Sequence, residues 1–500
     1  MAEETKGLSG SKTKSVFPAP TYRTAVLARV FKDAQKHFVD PLLAIQYAHT
    51  LMLGRQGIMR APDVAACLRA LDALDLEEIR TAKYDGSFED LFFFMESRLA
   101  ALCGPDNAGR MHTARSRNDI DLTMYRMVLR DLLARVVGEV IALRRVLVDL
   151  AWEHRASLMP AYTHNQPAQP TTLGHYLMAM IECLERDTAR LKSAYGRVNQ
   201  CPLGACAITT TGFPIDRKLT ADLLGFDALQ VNSYGAIAAV DYLTESCSVV
   251  AVCMLNLGRF AQDLLLWSTA EFNYLRLSDG YVQISSIMPQ KRNPVPLEHV
   301  RVLASRAMTQ AQAVLGSLHN TPFADMNDAE DDLQPLVYTA FEDALRSLEL
   351  LSGVLGEVDW NTDRMAAAAQ GSFLTVTELA DTLVRETGMS FRAAHEIVSE
   401  AVKELASGYD PTRMAAAVER LLPADANVDV GVLLKALDAG NFVKVRIVPG
   451  GPGMEALEPE ILRAKNAVAG DVEWLGEAGG RLVSARARMR AGVDGVVGLG

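Results

Sequence analysis

The sequence lacks most of the signatures that assign a function directly. It has no CxxC pair, and its seven cysteines lie scattered at positions 67, 103, 183, 201, 206, 247 and 253. That pattern predicts reduced thiols in a cytoplasmic protein, mostly filling the core. A Walker A phosphate loop, an HExxH zinc motif and a GxSxG nucleophile elbow are also missing. The common nucleotide-binding, zinc-protease and serine-hydrolase classes are therefore not indicated.

An excess of positive charge and a long apolar run are missing too. The net charge is −11 and the isoelectric point is about 5.4, which argues against nucleic acid and anionic membranes as partners. An anionic small substrate remains possible, because a few local cations suffice to define a pocket. The most apolar stretch, residues 246–257, is too short to span a bilayer and predicts a buried helix. Residues 1–20 are polar without an apolar run, which favours a flexible arm over a signal peptide.

What the sequence does contain is long helical periodicity. Five segments repeat apolar residues at helical spacing: 122–150, 177–195, 240–267, a segment beginning near Pro296, and 333–355. Helices of this length predict an all-α fold built on a helix bundle. The segment 240–267 is apolar on nearly every face, so it needs more helical partners than one chain readily supplies. Oligomerisation through the bundle is the expectation.

The helical patterns are shorter on both sides of these long helices. Shorter helical patterns fill residues 21–118, and shorter patterns return from residue 368 before a glycine-rich tail. We therefore expect a flexible N-terminal arm (1–20), an N-terminal helical domain (21–118), a central long-helix domain (119–367) and a small C-terminal helical domain (368–500).

Three polar stretches interrupt the apolar helices: "HTARSRND" (112–119), "AYTHNQPAQP" (161–170) and "QISSIMPQKRNP" (283–294). Each has an ordinary interpretation. The first could be a helix cap made by Asp119 with two solvated arginines, the second a proline-rich linker and the third a solvated loop. The alternative is that Arg117 and Asn118 bind a carboxylate at a helix N-terminus and that the other two loops complete a site between helices.

Taken together, these stretches resemble a known family. "SSIMPQKRNP" is similar to the signature loop of the fumarase/aspartase superfamily. "HTARSRND", "YTHNQPAQP", "TGFPIDR" (211–217), "DLLLWSTAEF" (263–272) and "FRAAHEIV" (391–398) resemble the argininosuccinate lyase branch. The similarity runs from about residue 40 to about residue 455. It implies a homotetramer with a central twenty-helix core, whose active sites are assembled from loops of three subunits.

The resemblance also implies a reaction and roles for named residues. The reaction is an anti elimination that releases fumarate from a substituted succinate, with no metal and no organic cofactor. Ser285 would be the base, helped by Lys291, and His164 would act in the acid role beside Thr163, oriented by Glu298. Substrate binding would fall to His112, Ser116, Arg117, Asn118, Gln166, Ser286 and Asn293.

Several positions depart from the pattern of the branch. Ile284 stands where the superfamily has glycine, which stiffens the loop before Ser285. In residues 324–333, Asp325, Glu330 and Leu333 stand where the branch has Tyr, Gln and Lys that help to hold argininosuccinate. Most departures fall on the half of the site that holds the leaving amine.

The sequence thus predicts a fumarate-releasing carbon–nitrogen lyase that acts on an N-substituted aspartate. Argininosuccinate is the best single named substrate, and a more cationic or less carboxylated amine is the other candidate. A second interpretation is an enzymatically silent structural tetramer of the same fold. The complete set of motif residues argues for the enzyme.

Overall fold

The computed structural model describes residues 16–405 and 408–498, so the expected N-terminal arm lies mostly outside the described residues. Helices dominate the described chain, and its strands are short and form four two-stranded ladders. The prediction of an all-α fold is confirmed.

The body of the molecule is built on five helices of 23 to 37 residues. They are α8 (Arg117–Glu153), α9 (Leu173–Val198), α12 (Asp241–Trp267), α13 (Val295–Leu318) and α14 (Gln334–Gly356). These bounds match the five periodic segments of the sequence, although α8 begins five residues earlier than its apolar stripe.

The remaining helices flank this bundle. Before it lie α1 (Pro20–Tyr22), a π-helical turn (Arg23–Leu27), α2 (Ala28–His37), α3 (Val39–Arg55), α4 (Ala61–Asp72), α5 (Leu76–Thr81), α6 (Leu91–Cys103) and α7 (Pro105–Met111). Two short helices, α10 (Arg217–Leu223) and α11 (Ser233–Ala238), separate α9 from α12. After the bundle come α15 (Thr362–Gln370), α16 (Val376–Thr387), α17 (Phe391–Glu404), α18 (Pro411–Leu421), α19 (Val430–Ala436), α20 (Ala439–Lys444) and α21 (Met454–Val497).

The four ladders are all local features of loops. The paired strands are β1 (Leu158–Thr163) with β2 (Gln166–Thr172), β3 (Gln200–Cys201) with β4 (Ala228–Leu229), β5 (Leu275–Arg276) with β8 (Asp359–Trp360), and β6 (Gln283–Ile284) with β7 (Arg292–Asn293). Three single turns of 3-10 helix lie at Asp279–Tyr281, Asn327–Ala329 and Phe373–Thr375.

Helix α12 shows why one chain leaves the bundle incomplete. One side of it is buried among its neighbours, but Val252, Leu255 and Leu266 on other sides are 38–51% exposed. Among the described helices, it alone is long and apolar enough to cross a membrane by composition, with 44% of its most apolar window buried. Its buried side packs against α9, α13 and α14, which makes it a helix of the core with an uncovered apolar face.

The described residues form two hydrophobic cores. The larger one joins the N-terminal helices, the five long helices and residues Leu457, Ile461 and Val468 of α21. The smaller one is confined to residues 379–437. The division of the chain at residues 118 and 367 stays a prediction.

Helix α21 is tied to the body by ion pairs as well as by apolar contacts. Asp471 accepts from the buried Arg144 at 2.5 Å and from Lys192 Nζ at 2.9 Å. The Arg144 side chain is completely inaccessible to water and also lies 3.4 Å from Glu185. A guanidinium in such a place needs its carboxylates, because water cannot replace them.

We expect the substitution Asp471→Asn to destabilise the protein by about 2–4 kcal/mol, because it leaves Arg144 buried with one carboxylate instead of two. The measurement is the melting temperature. Asp494→Asn on the same helix removes an exposed partner of Arg490 and should cost less than about 1 kcal/mol. Equal melting temperatures for the two variants would show that the buried pair adds nothing.

Candidate active site

The loop 283–294 is closed at its base by a short ladder. Gln283 pairs with Asn293 and Ile284 with Arg292, and the Asn293 side chain donates to the Gln283 carbonyl at 2.9 Å. Arg292 donates to Asp279 at 2.6 Å and to the Leu277 carbonyl at 2.8 Å. Residues 285–291 therefore project as a loop whose two ends are held together.

Ser285 lies at the start of this projecting segment. Its Oγ accepts hydrogen bonds from the backbone N–H of Met288 at 3.0 Å and of Ile287 at 3.4 Å. Two donors on one hydroxyl oxygen favour its negatively charged form. Ile284, which replaces the usual glycine, lies in β6 and is 80% exposed, so its side chain stiffens the ladder without entering a core.

His164 lies at the tip of a hairpin. Strands β1 and β2 run antiparallel up to the pair Thr163–Gln166, which leaves His164 and Asn165 as a two-residue turn. Their φ angles are +52° and +59°, as the mirror-image turns of tight hairpins require. The interpretation of this stretch as a simple linker is therefore wrong: it is a hairpin that presents Thr163 and His164 to solvent.

The third stretch forms the start of α8. The helix begins at Arg117, with Ser116 as its N-cap, and Asp119 takes part in the cap from inside the helix, as the third residue of a capping box. Asp119 lies inside the first turn and reaches back to the Ser116 N–H at 2.9 Å, while accepting from the N–H groups of Gly204 at 2.7 Å and Cys206 at 3.0 Å. Burial raises the pKa of Asp119 to about 6, and the three donors oppose that rise.

The capping part of the first ordinary interpretation is confirmed, but its solvated arginines are wrong, because Arg115 is buried and Arg117 is half-buried and ion-paired. Arg115 is 7% exposed. Arg117 forms ion pairs with Asp90 and with Asp121, the latter at 3.2 Å. The imidazole Nδ1 of His112 is buried and has no hydrogen-bond partner among the described residues.

An acidic segment packs over the start of α8. The Asn118 amide donates to Asp325, and the Tyr125 hydroxyl donates to Asp331 at 2.9 Å. Burial, followed by the charge of Asp325, raises the pKa of Glu330 to about 8. Burial likewise raises the pKa of Asp121 to about 7.

The structure thus brings part of the predicted site together and adds residues to it. Asn118 donates to Asp325, and Asp325 in turn lies beside Glu330, so two of the positions that depart from the branch lie next to a predicted site residue. Asp90, Asp121, Tyr125 and Asp331 were missed by sequence reasoning. Only Asp121 had a local signal, because it follows Arg117 by four residues in a helix.

The three polar stretches do not meet within one chain. Across residues 16–405 and 408–498, no hydrogen bond or ion pair joins Asn118, His164, Ser285 or Glu298 to one another. The length of α8 gives a reason. Arg117 begins this helix and the hairpin follows its end, and 37 residues at 1.5 Å each separate them by about 55 Å.

Comparisons with known proteins place this arrangement in a family. A pattern described as lyase matches residues 75–309, and one described as argininosuccinate lyase C-terminal matches residues 373–443. Argininosuccinate lyase 2 of Agrobacterium fabrum is 43% identical over 452 residues, which cover 89% of this chain and 89% of that protein. Argininosuccinate lyase of Methanosarcina mazei is 38% identical, covering 87% and 88%. The chain belongs to the argininosuccinate lyase family.

Solved structures agree with this membership. EDDS lyase in complex with formate has a TM-score of 0.85 and 33% identity, covering 96% of this chain and 98% of that one. A variant of EDDS lyase with bound fumarate gives the same TM-score and identity, covering 95% and 97%. As a member of the argininosuccinate lyase family, the protein is a fumarate-releasing carbon–nitrogen lyase, so the interpretation as a silent structural tetramer is set aside.

The raised pKa of Glu330 predicts a stability that depends on pH. In the unfolded chain a glutamate titrates near pH 4.3, and in the folded protein Glu330 titrates near 8. The folded state binds this proton more tightly, so the contribution of Glu330 to stability falls as the pH rises between these two values. The variant Glu330→Gln cannot titrate at this position, so its stability should not decrease with pH in this way. It should melt at a higher temperature than the wild type at pH 8.

The check is a series of thermal melts from pH 5 to pH 9. Asp328→Asn, on the exposed side of the same segment, serves as the control and should follow the wild type. Parallel curves for Glu330→Gln and wild type would contradict the assignment.

Proposed function

We propose that the protein cleaves an N-substituted aspartate by anti elimination, with Ser285 as the base, and that argininosuccinate is the best single named substrate. The observation that carries this proposal is the pair of backbone N–H groups directed at the Ser285 hydroxyl oxygen. The names of the relatives favour argininosuccinate, whereas those of the EDDS lyase structures favour a different amine. Both sets of names share the substrate class and differ in the amine.

The reaction sets three requirements. A weakly acidic proton must leave the carbon next to a carboxylate, negative charge must be stabilised on that carboxylate, and the nitrogen on the neighbouring carbon must depart protonated. A base, fixed donors and a proton source meet these requirements.

The loop that carries Ser285 supplies the first two. The N–H groups of Ile287 and Met288 stabilise the alkoxide that abstracts the proton. Lys291, at the end of the projecting segment, and Asn293, in the ladder at its base, bind the succinyl carboxylates, and Ser286 adds a hydroxyl. Charge that develops on the carboxylate is thus met by donors already in place.

The hairpin of β1 and β2 supplies the third requirement, a proton source for the leaving nitrogen. His164 donates the proton to the leaving nitrogen, directly or through water, with Thr163 beside it and Gln166 contacting the substrate. Glu298, exposed in the first turn of α13, orients the imidazole from another subunit. His164 lies in the two-residue turn at the tip of the hairpin, which directs it away from its own chain. This position suits a group that acts on a site shared between subunits.

Ser116, Arg117, Asn118 and His112 bind the substrate from the start of α8 in a third subunit. A homotetramer would supply these loops to each site, and five long helices from each of four chains make a bundle of twenty. The uncovered apolar side chains of α12, together with Val302 and Leu315 of α13, support this assembly. Seven unpaired cysteines among the described residues support a cytoplasmic location.

We expect Ser285→Ala to lower kcat by about 10²–10⁴-fold, because no other group on the loop can take the proton. Fumarate absorbance reports the rate, with argininosuccinate or the amine adduct that the wild type cleaves fastest. The size of the assembly and the melting temperature should change little, since Ser285 is half-buried in a loop and belongs to neither hydrophobic core.

Ser286→Ala is the matched control. It retains Ser285 and its two donors but removes one hydroxyl from the proposed carboxylate site, so it should raise KM about tenfold and leave kcat nearly intact. A Ser285→Ala enzyme that retained wild-type kcat would exclude Ser285 as the base.

A further inference from the structure

The segment that follows α13 makes two contacts with the first turns of α8 and one with the short helix α11. Asp325 accepts from Asn118, and Asp331 accepts from Tyr125 at 2.9 Å. The ring of Phe323 stacks on Tyr234 with 6.0 Å between centroids, and the Tyr234 hydroxyl donates to the Phe323 carbonyl at 3.2 Å. A substrate that reaches Asn118 therefore meets this segment at once.

The charges around this contact do not balance. Five carboxylates lie together: Asp90, Asp121, Asp325, Glu330 and Asp331. Within the described part of the chain, Arg117 is the one cation paired with any of them, and it pairs with Asp90 and Asp121. Asp325 and Glu330, both half-buried, are left facing each other without a positive partner, and partial removal of two such carboxylates from water costs free energy.

Buried polar atoms beside the carboxylates are also left without partners. The hydroxyls of Tyr242 and Tyr338 belong to side chains 2% and 1% exposed, and neither has a hydrogen-bond partner among the described residues. Burial raises the pKa of both phenols. At Tyr242 the Arg126 guanidinium opposes the rise and the charge of Glu330 adds to it, whereas at Tyr338 the charges of Tyr242 and Asp331 add to it, so each hydroxyl lies near one member of the acidic group. Buried hydroxyls normally have partners, so this region is arranged for a group that the chain itself does not provide.

We propose that Asp325 and Glu330 bind a second cationic group on the leaving amine, and that the preferred substrates are N-succinyl derivatives of diamines or similar amines without a carboxylate. This inference rests on the proposed function, since it assigns the amine half of the same site, and within that function it ranks carboxylate-free amines ahead of arginine, the amine of the named candidate substrate. A distal ammonium would replace the proton that Glu330 otherwise holds near neutral pH. A distal carboxylate, such as that of arginine, would instead meet Asp325 and Glu330, which have no cationic partner among the described residues, and would be repelled.

The addition reaction tests this directly, because it needs only fumarate and an amine. The amine nitrogen bonds to one carbon of the double bond, and a proton adds to the other, so atoms and charge balance without a further reactant. Three amines share the same reacting group and four-carbon chain: butylamine, 1,4-diaminobutane and 4-aminobutanoate. Their far ends are neutral, cationic and anionic.

We expect kcat/KM to fall in the order diamine, butylamine, 4-aminobutanoate, with at least about 100-fold between the first and the last, since like charges in a desolvated site cost several kcal/mol. Agmatine should likewise be preferred to arginine, because the two differ only by the carboxylate. Loss of fumarate absorbance measures each rate.

Variants assign the preference to the named residues. Asp325→Asn and Glu330→Gln should each lower kcat/KM for the diamine about tenfold more than for butylamine. Asp328→Asn lies on the exposed side of the same segment and should leave the ratio unchanged.

Failure of this inference is distinct from failure of the proposed function. Equal use of the three amines, or a preference for arginine or 4-aminobutanoate, would overturn the assignment of Asp325 and Glu330 as a cation-binding site. The proposed lyase activity would remain. If no amine consumed fumarate and argininosuccinate was not cleaved, the proposed function itself would be contradicted, and so would the cation-binding role of Asp325 and Glu330.

Discussion

Burial of apolar side chains along five long helices is the constraint on which the rest of the structure depends. These helices act as rigid rods, and every proposed functional group lies on a loop or cap at one of their ends. Because α8 is about 55 Å long, the groups at its two ends cannot serve one site in one chain. The exposed apolar face of α12 and the dispersed site are therefore two results of the same architecture: a bundle that needs further chains also brings distant loops together.

The rods could be predicted from the sequence, because a period of 3.6 residues sustained over six or more turns has few other meanings. The hairpin that carries His164 could not. Pro160, Pro167 and Pro170 lie within its strands, and proline normally argues against a strand. A two-stranded ladder tolerates these prolines because both strands are edges, and two residues with positive φ close the turn. The sequence pattern also placed the start of α8 too late. The first residues of this helix are polar, so the apolar stripe used to find the helix does not include them.

The candidate site was predictable only as far as its motifs extend. Ser285, His164 and Asn118 stand in short recognisable stretches, but the partners of those stretches are set by the fold. Asp90 precedes Arg117 by 27 residues, and Asp325 follows Asn118 by 207. No local spacing encodes such contacts. What the sequence did indicate was a change of charge at residues 325 and 330, and the structure gives that change a location beside the proposed substrate-binding asparagine.

The number of donors around each buried oxygen separates structural from functional acids in this protein. Asp119 is buried and accepts three backbone N–H groups, so its charge is used to join α8 to the loop at Gly204 and Cys206. Glu330 is half-buried beside other carboxylates and has no cationic partner among the described residues, so its pKa rises further. Ser285 has the opposite arrangement, in which donors surround an oxygen that is neutral at rest. The N–H donors around Ser285 are in place before its oxygen becomes charged, so they can stabilise the step that forms the alkoxide. The carboxylate of Glu330 has no such donors, so it can attract a cation. The two halves of the proposed substrate, an anionic succinyl group and a cationic amine, call for these two opposite environments.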